Sequence, residues 1–158
     1  MNNPQNNTFT ITKASLEDLD LIAPLFDAYR VFYKQPSDLA GARRFLAARL
    51  EREQSTIFLA VSKNDETAVG LGFTQLYPSF SSISMRPLWV LNDLFVAPQA
   101  RHLGIGRALM DRARQFAVET NAKGLTLSTA TDNIPAQTLY ESLGYLRNIE
   151  FYNYTLLV

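Results

Sequence analysis

The sequence predicts a single mixed α/β domain, and three observations indicate this. The chain has 158 residues, of which 47% are apolar, and this suits one globular domain with a sizeable core. Strand-like alternation and helix-like spacing of apolar residues follow each other along the chain without an internal repeat. Glycine and proline mark many of the boundaries between these segments. We therefore expect one domain that spans residues 1–158.

The first half of the chain predicts a strand, two helices and a β-hairpin. Apolar and polar residues alternate in the first segment, and apolar residues recur at helical spacing in the next two. The sequence QPSDL separates the helices, and Ser37 or Asp38 can cap the second one. The turn sequence NDET lies between two apolar runs, as in a hairpin. The predicted elements are a strand at 9–14, helices at 16–33 and 39–50, and strands at 56–63 and 68–77.

The second half predicts a loop, then strands alternating with helices. Residues 78–87 are polar and bounded by prolines, which favours a loop. The sequence LWVLNDLFV is apolar on both faces, as a central strand is. Pro135 suits the first turn of a short helix, and Gly144 suits its end. The predicted elements are strands at 88–96, 125–131 and 151–158 and helices at 104–121 and 135–143.

Composition excludes several function classes. Fifteen basic and fifteen acidic side chains cancel, so we expect neither a nucleic acid nor a membrane as a partner. The absence of cysteine excludes disulfides, thiolate metal sites and a cysteine nucleophile, and we expect no metal. The polar sequence MNNPQNNTFT lacks the apolar core of a signal peptide. We therefore expect a cytoplasmic protein.

The sequence QARHLGIGRAL, residues 99–109, predicts a phosphate-binding loop. It follows a strand and opens a helix, whose N-terminus carries unpaired N–H groups and the positive end of the dipole. Gly104 and Gly106 let a ligand approach the main chain, and Arg101 and Arg107 can pair with phosphate oxygens. The Walker A pattern is absent, and Leu109 stands where the Rossmann pattern needs a third glycine.

Two blocks of the chain resemble the GNAT superfamily of N-acetyltransferases. LNDLFVAPQARHLGIGRALM is similar to the acetyl-CoA signature of that family, with Arg101, Gly104 and Gly106 at the motif positions. STATDNIPAQTLYESLGY is similar to a later motif that has an Asn after a strand and a Tyr in the following helix. The resemblance implies a mixed sheet of about six to seven strands with four helices, in which the strands at 88–96 and 125–131 splay apart.

The resemblance also implies which residues bind acetyl-CoA. In the family, pantetheine pairs with main-chain groups of the strand at 88–96, which a β-bulge would free. The pyrophosphate then lies on the amides of the glycine loop, where His102 would be remote from the thioester. The implied acetyl-CoA-binding residues are Leu94, Phe95, Val96, Arg101, His102, Leu103, Gly104, Ile105, Gly106, Arg107, Asn133, Ala136 and Tyr140.

Catalytic roles follow from the same resemblance. Tyr140 matches the family's proton donor to the leaving thiolate, and the alternative is an aromatic residue of the core. Similar polyamine acetyltransferases carry a Glu-Asp pair in the strand, where this chain has Asn92-Asp93. Asp93 therefore becomes the candidate base, with a structural carboxylate as the alternative. A water chain or a base from Glu17, Asp38 or Glu141 also remains open.

The expected acceptor is a primary amine, either a small polyamine-like molecule or a lysine side chain. Aromatic residues together with one carboxylate suit a cationic amine, and Tyr29, Tyr33, Asp38 and Tyr77 lie in the segments that contact substrate in the family. The chain also resembles the Hpa2-like branch, in which dimers are common, so we expect a homodimer. An acetyl-CoA-sensing module without catalysis and a nucleotide-binding domain unrelated to coenzyme A are the alternatives.

Overall fold

The structure is a computed structural model that describes residues 8–63 and 67–158. Residues up to Leu127 belong to one compact unit, and Ser128–Val158 form a second one. Short 3-10 turns precede two of the helices, at Leu16–Asp18 and Pro98–Ala100. The elements in chain order are β1 (Phe9–Lys13), α1 (Leu19–Phe32), α2 (Leu39–Glu51), β2 (Thr56–Ser62), β3 (Gly70–Ser81), β4 (Arg86–Val96), α3 (Ile105–Glu119), β5 (Leu125–Thr126) and α4 (Ile134–Ser142).

One mixed sheet organises the first unit. Its strand order is β1-β2-β3-β4-β5; the first four strands pair antiparallel, and β5 pairs parallel with β4. The pairing of β2 with β3 confirms the predicted hairpin. Residues 64–66 of its turn sequence and residues 1–7 at the N-terminus lie outside the described residues.

The described residues contain five strands, so the prediction of six to seven is wrong for this part of the chain. The segment 125–131 forms a strand only at Leu125–Thr126. Residues 151–158 form no strand, and Phe151, Tyr154 and Leu156 expose their side chains. An alternating pattern indicates that a segment can form a strand, but a strand exists only where a partner satisfies its backbone groups.

The predicted loop at 78–87 is also wrong, because most of it extends the hairpin between β3 and β4. Pro78 lies opposite Trp89, and Phe80 lies opposite Pro87, so both prolines stand within the ladder. Only residues 82–85 form the turn. Proline is tolerated in a strand where its nitrogen is not needed as a ladder donor, and the sequence alone does not show which positions those are.

Helices of the first unit cover both faces of the sheet. Phe26 of α1 contacts Phe73 with ring centroids 6.0 Å apart, so α1 packs on the face of β3 that carries Phe73. Phe116 of α3 contacts Phe58 of β2 at 5.5 Å on the opposite face. The helix α2 packs on α1 through the stacked rings of Phe45 and Phe26, 5.6 Å apart. The resulting core buries its largest side chains almost completely: Ile22, Leu46, Phe58, Phe73, Leu76 and Leu109.

Gly72 brings β3, β4 and the start of α3 close together. A Cβ atom at this position would lie 2.7 Å from the carbonyl oxygen of Phe95 and 3.4 Å from Cγ2 of Ile105. The first distance is shorter than real Cβ contacts allow, and backbone atoms cannot easily give way. The glycine therefore sets the separation between the end of β4 and the first turn of α3.

Replacing Gly72 tests this close approach. We expect Gly72→Ala to lower the free energy of unfolding by roughly 1–3 kcal/mol, the usual cost of overpacking a tight site. Chemical denaturation of the purified protein measures the change. Gly124→Ala is the matched control, because a Cβ there meets no heavy atom within 4 Å. Equal stability of the two variants would contradict the close approach.

Candidate active site

The predicted phosphate loop joins β4 to α3 through two residues in the left-handed region. His102 has φ 63° and Gly104 has φ 81°. Histidine is one of the few residues besides glycine that adopt this conformation with some frequency. The Nε atom of Arg101 donates a hydrogen bond to the carbonyl oxygen of Val96 at 3.3 Å, which holds the loop against the end of β4. Residues 101–104 are exposed.

The start of α3 has room for an anion. Gly104 is the N-cap residue and provides no side-chain hydrogen bond to the helix. The amides of Ile105 and Gly106 lie in the first turn, where no intrahelical carbonyl is available to them. A Cβ at Gly104 would meet no heavy atom within 4 Å, so the space beside this residue is open. This geometry fits the phosphate group that the sequence predicts.

A β-bulge interrupts β4 at Asn92. Gln75 of β3 lies opposite Asp93, but the next residue, Leu76, lies opposite Leu91. Asn92 is therefore the extra residue, and its side chain is exposed. On its other side, β4 pairs with β5 only at Trp89 and Val90. Within the described part of the chain, the segment 91–96 consequently pairs with β3 alone.

Asp93 carries a buried carboxylate between two amide side chains. The residue is only 3% exposed. Its Oδ2 accepts a hydrogen bond from Nε2 of Gln75 at 2.7 Å, and its Oδ1 accepts one from Nδ2 of Asn92 at 3.0 Å. The carbonyl oxygen of Asp93 also accepts a hydrogen bond from the Thr74 hydroxyl at 2.9 Å. The arrangement suits both interpretations made from the sequence, a base and a structural carboxylate.

Tyr77 lies beside this carboxylate and remains protonated at neutral pH. Burial and the nearby charge of Asp93 raise the pKa of Tyr77 to about 12, against smaller lowering effects of Arg49 and the Gln75 side chain. The guanidinium of Arg49 in α2 stacks over the Phe45 ring at 4.7 Å. The structure therefore brings two predicted site residues, Tyr77 and Asp93, into one neighbourhood.

The other predicted substrate residues lie in and after α1. The rings of Tyr29 and Tyr33 meet edge to face, with centroids 5.0 Å apart. Tyr29 also contacts Phe95 at 6.3 Å, so it reaches the face of the sheet that carries Phe73 and Phe95. Asp38 is the N-cap of α2, and its Oδ1 accepts a hydrogen bond from the amide of Gly41 at 2.8 Å. Its side chain therefore has a structural task.

The second unit contains the remaining predicted residues on or beside α4. Asn133 is the N-cap of this helix, and its side chain accepts a hydrogen bond from the amide of Ala136 at 3.3 Å. Tyr140 lies in the last turns of α4, and its ring packs 6.1 Å from that of Tyr145. Glu141, one of the alternative bases, forms an ion pair with Arg147 at 3.1 Å.

Sequence reasoning missed two polar residues that organise these regions. Gln75 is fully buried beside Asp93. Asp27 accepts hydrogen bonds from the Ser37 hydroxyl at 2.6 Å and from the Asp38 amide at 2.8 Å, which ties α1 to the start of α2. The signal for Gln75 is an amide in the middle of a predicted strand, between the apolar residues Phe73 and Leu76. Asp27 lies ten residues from Ser37, so no local pattern indicates their contact.

Comparison with known proteins decides the family. The model of the acetyltransferase (GNAT) family matches residues 22–145, which is most of the chain. The chain belongs to the GNAT acetyltransferase family. It is an N-acetyltransferase, and the family uses acetyl-CoA as its acetyl donor.

Several relatives of this GNAT protein are similar over nearly their whole length. An uncharacterized N-acetyltransferase of Bacillus subtilis, YhfO, is 48% identical over 146 residues, which are 92% of this chain and 95% of the relative. A probable acetyltransferase of Haemophilus influenzae is 31% identical over 136 residues, which are 86% of this chain and 89% of the relative. The crystal structure of a probable acetyltransferase superposes with a TM-score of 0.88 at 46% identity, covering 94% of this chain and 97% of that one.

Two further findings concern residues 8–63 and 67–158 only. No group of three or more His, Asp or Glu side chains in these ranges is placed to hold a metal ion. None of the helices described there is long and apolar enough to cross a membrane.

The contacts of Asp27 predict a pH-dependent stability. The hydrogen bonds from Ser37 and from the Asp38 amide hold the pKa of Asp27 below its ordinary value of 3.8. Its carboxylate therefore stabilises the folded state above pH ~4, and this contribution is lost as the pH falls through the folded pKa. We expect Asp27→Ala to unfold at lower denaturant concentration than the natural protein near neutral pH, with the difference vanishing in acid. A difference that persists unchanged in acid would contradict this role.

Proposed function

We propose that this chain is one N-acetyltransferase domain that transfers an acetyl group from acetyl-CoA directly to a primary amine. The observation that carries the proposal is the continuous path from a bulged β4 through a left-handed glycine loop to the start of α3. A bulged strand with main-chain groups unpaired by β5 and a helix N-terminus together suit a long ligand with an anionic end.

The acetyl-CoA site is proposed along this path. The main chain of Leu94, Phe95 and Val96 would pair with the pantetheine arm, because β5 pairs with β4 only at Trp89 and Val90. That short pairing supports strands that splay apart. The pyrophosphate would be bound by the loop and the first turn of α3, residues 101–107. On the family resemblance, Asn133, Ala136 and Tyr140 of the second unit are proposed as further acetyl-CoA-binding residues.

The proposed chemistry uses two side chains. The neutral amine attacks the thioester carbonyl, a C–N bond forms and the C–S bond breaks. Asp93 accepts the proton that the amine loses, and the hydroxyl of Tyr140 donates a proton to the departing thiolate. Because the chain has no cysteine, an acetylated cysteine intermediate is excluded, and direct transfer in a ternary complex is the mechanism proposed.

The acceptor is proposed to be a small polyamine-like amine or a lysine side chain, as in the Hpa2-like branch. The aromatic rings of Tyr29 and Tyr33, together with the buried charge of Asp93, suit a cation. Because Asp38 caps α2, it would contribute to the site mainly by holding that helix. We also propose that the protein is a cytoplasmic homodimer. The exposed apolar side chains of residues 151–158 support association between two copies of the chain.

A panel of amines with acetyl-CoA tests the proposal. We expect release of free thiol with polyamines or lysine peptides, detected by a thiol reagent, and a higher thermal midpoint with acetyl-CoA. Binding of acetyl-CoA without thiol release for any amine would favour the sensing module. ATP and NAD serve as control ligands, and stabilisation by these alone would contradict the proposed acetyl-CoA site.

Gly104→Ala tests the proposed pyrophosphate cradle. The new methyl group would occupy the open space beside the first turn of α3, so we expect acetyl-CoA affinity to fall by roughly tenfold or more, measured by calorimetry. Gly144→Ala is the matched control, since Gly144 also has a left-handed backbone, φ 86°, and equally open surroundings. Equal acetyl-CoA affinities in the two variants would show that Gly104 does not form part of the pyrophosphate site.

Tyr140→Phe tests the proposed proton donor. The variant keeps the ring and loses only the hydroxyl, so we expect the single-turnover rate to fall by roughly 10²–10⁴-fold with acetyl-CoA affinity unchanged. Tyr145→Phe is the control, because its ring packs against Tyr140 and belongs to the same unit. Wild-type rates in Tyr140→Phe would leave this tyrosine a packing role.

A further inference from the structure

The carboxylate of Asp93 is buried without a cationic partner. Within the ranges that the structure describes, no Lys, Arg or His nitrogen lies within ion-pair distance of it. The two groups that contact its oxygens are the neutral amides of Gln75 and Asn92. A buried carboxylate without an ion pair depends on hydrogen bonds for its stability, and these two amides supply them.

Gln75 is placed to serve this carboxylate. It is fully buried and lies directly opposite Asp93 in the β3–β4 register. Its Nε2 donates a hydrogen bond to Asp93. Its Oε1 makes no well-formed hydrogen bond. The Tyr77 hydroxyl also interacts with this side chain. A buried polar atom that is poorly satisfied costs stability, so the contact of Gln75 with Asp93 is retained at some cost to the fold.

Asn92 provides the second donor because of the bulge. As the extra residue of β4 it lies outside the regular alternation, and its exposed side chain turns to the Oδ1 of its neighbour. A regular strand would direct the side chains of residues 92 and 93 to opposite faces of the sheet. The bulge therefore allows two consecutive side chains to meet.

We propose that Gln75 and Asn92 form a carboxamide clamp that positions the carboxylate of Asp93 for acetyl transfer. The inference rests on the proposed role of Asp93 as proton acceptor. Asn92 stands where similar polyamine acetyltransferases carry a Glu, and in this chain it acts as a hydrogen-bond donor instead of a base. Because both amides act through Asp93, they are positioning residues.

Four variants test the clamp. Gln75→Met keeps the size of the side chain and removes the donor, and Asn92→Ala removes the exposed donor with little risk to folding. Thr74→Val is the matched control, since it removes a buried hydrogen bond to the carbonyl oxygen of Asp93 but leaves the carboxylate untouched. Asp93→Asn removes the carboxylate. Circular dichroism and thermal midpoints establish that each variant is folded.

Two readouts follow the ionisation of Asp93. Carbon-13 NMR of the side-chain carboxyl gives its titration midpoint. The pH profile of kcat/KM gives the acidic limb, which is the fall in activity as the pH is lowered. Other ionisable side chains near this part of the sheet are Tyr77 on β3, Arg49 on α2 and Tyr29 on α1. The NMR signal separates Asp93 from these groups.

We expect Gln75→Met and Asn92→Ala each to move the midpoint and the acidic limb upward by about one pH unit, a tenfold change in proton affinity. Thr74→Val should leave both unchanged, and Asp93→Asn should lose the acidic limb. Unchanged midpoints in the two clamp variants would overturn the clamp alone. An acidic limb that survives in Asp93→Asn would overturn the role of Asp93, and the catalytic part of the clamp with it.

Discussion

The pairing of β3 with β4 is the interaction on which the rest of the first unit depends. The ladder runs from Gly72 opposite Val96 to Ser81 opposite Arg86, and one extra residue, Asn92, interrupts it. Because side chains alternate along a strand, the inserted residue changes the face on which its neighbours lie. Asp93 consequently lies on the same face of the sheet as Gln75, while Leu91 lies with Leu76 on the opposite face. A ladder without the insertion would place different side chains at the site.

Burial then determines the chemistry available around Asp93. Charges interact more strongly away from water, and an unpaired buried group is costly, so each polar atom here needs a defined partner. Tyr77 is kept neutral because burial and the adjacent carboxylate both oppose its ionisation. The amides on either side of Asp93 supply hydrogen bonds without neutralising its charge. The region therefore places a neutral tyrosine beside a carboxylate whose oxygens contact only uncharged hydrogen-bond donors.

The connection between α1 and α2 depends on a different carboxylate. The carboxylate of Asp27 accepts hydrogen bonds from the hydroxyl of Ser37 and the amide of Asp38, and Asp38 in turn caps α2. These contacts orient the two helices that precede β2 and hold Tyr29 and Phe26 against the sheet. The shape of the proposed acceptor side thus depends on short hydrogen bonds close to the protein surface. Asp38, which the family resemblance marked as a candidate for substrate binding, has a structural role here.

Local sequence patterns determined the helices and the glycine loop, because helix spacing, caps and left-handed residues act over a few neighbouring positions. Gly104, Gly144 and the apolar stripe of α3 were all predictable for this reason. Contacts between distant segments were not predictable from local patterns. Whether residues 78–87 and 151–158 form strands depends on partners elsewhere in the chain, and the bulge at Asn92 depends on the register with β3. The meeting of Gln75 with Asp93 joins residues 18 positions apart, so only the tertiary structure decided it.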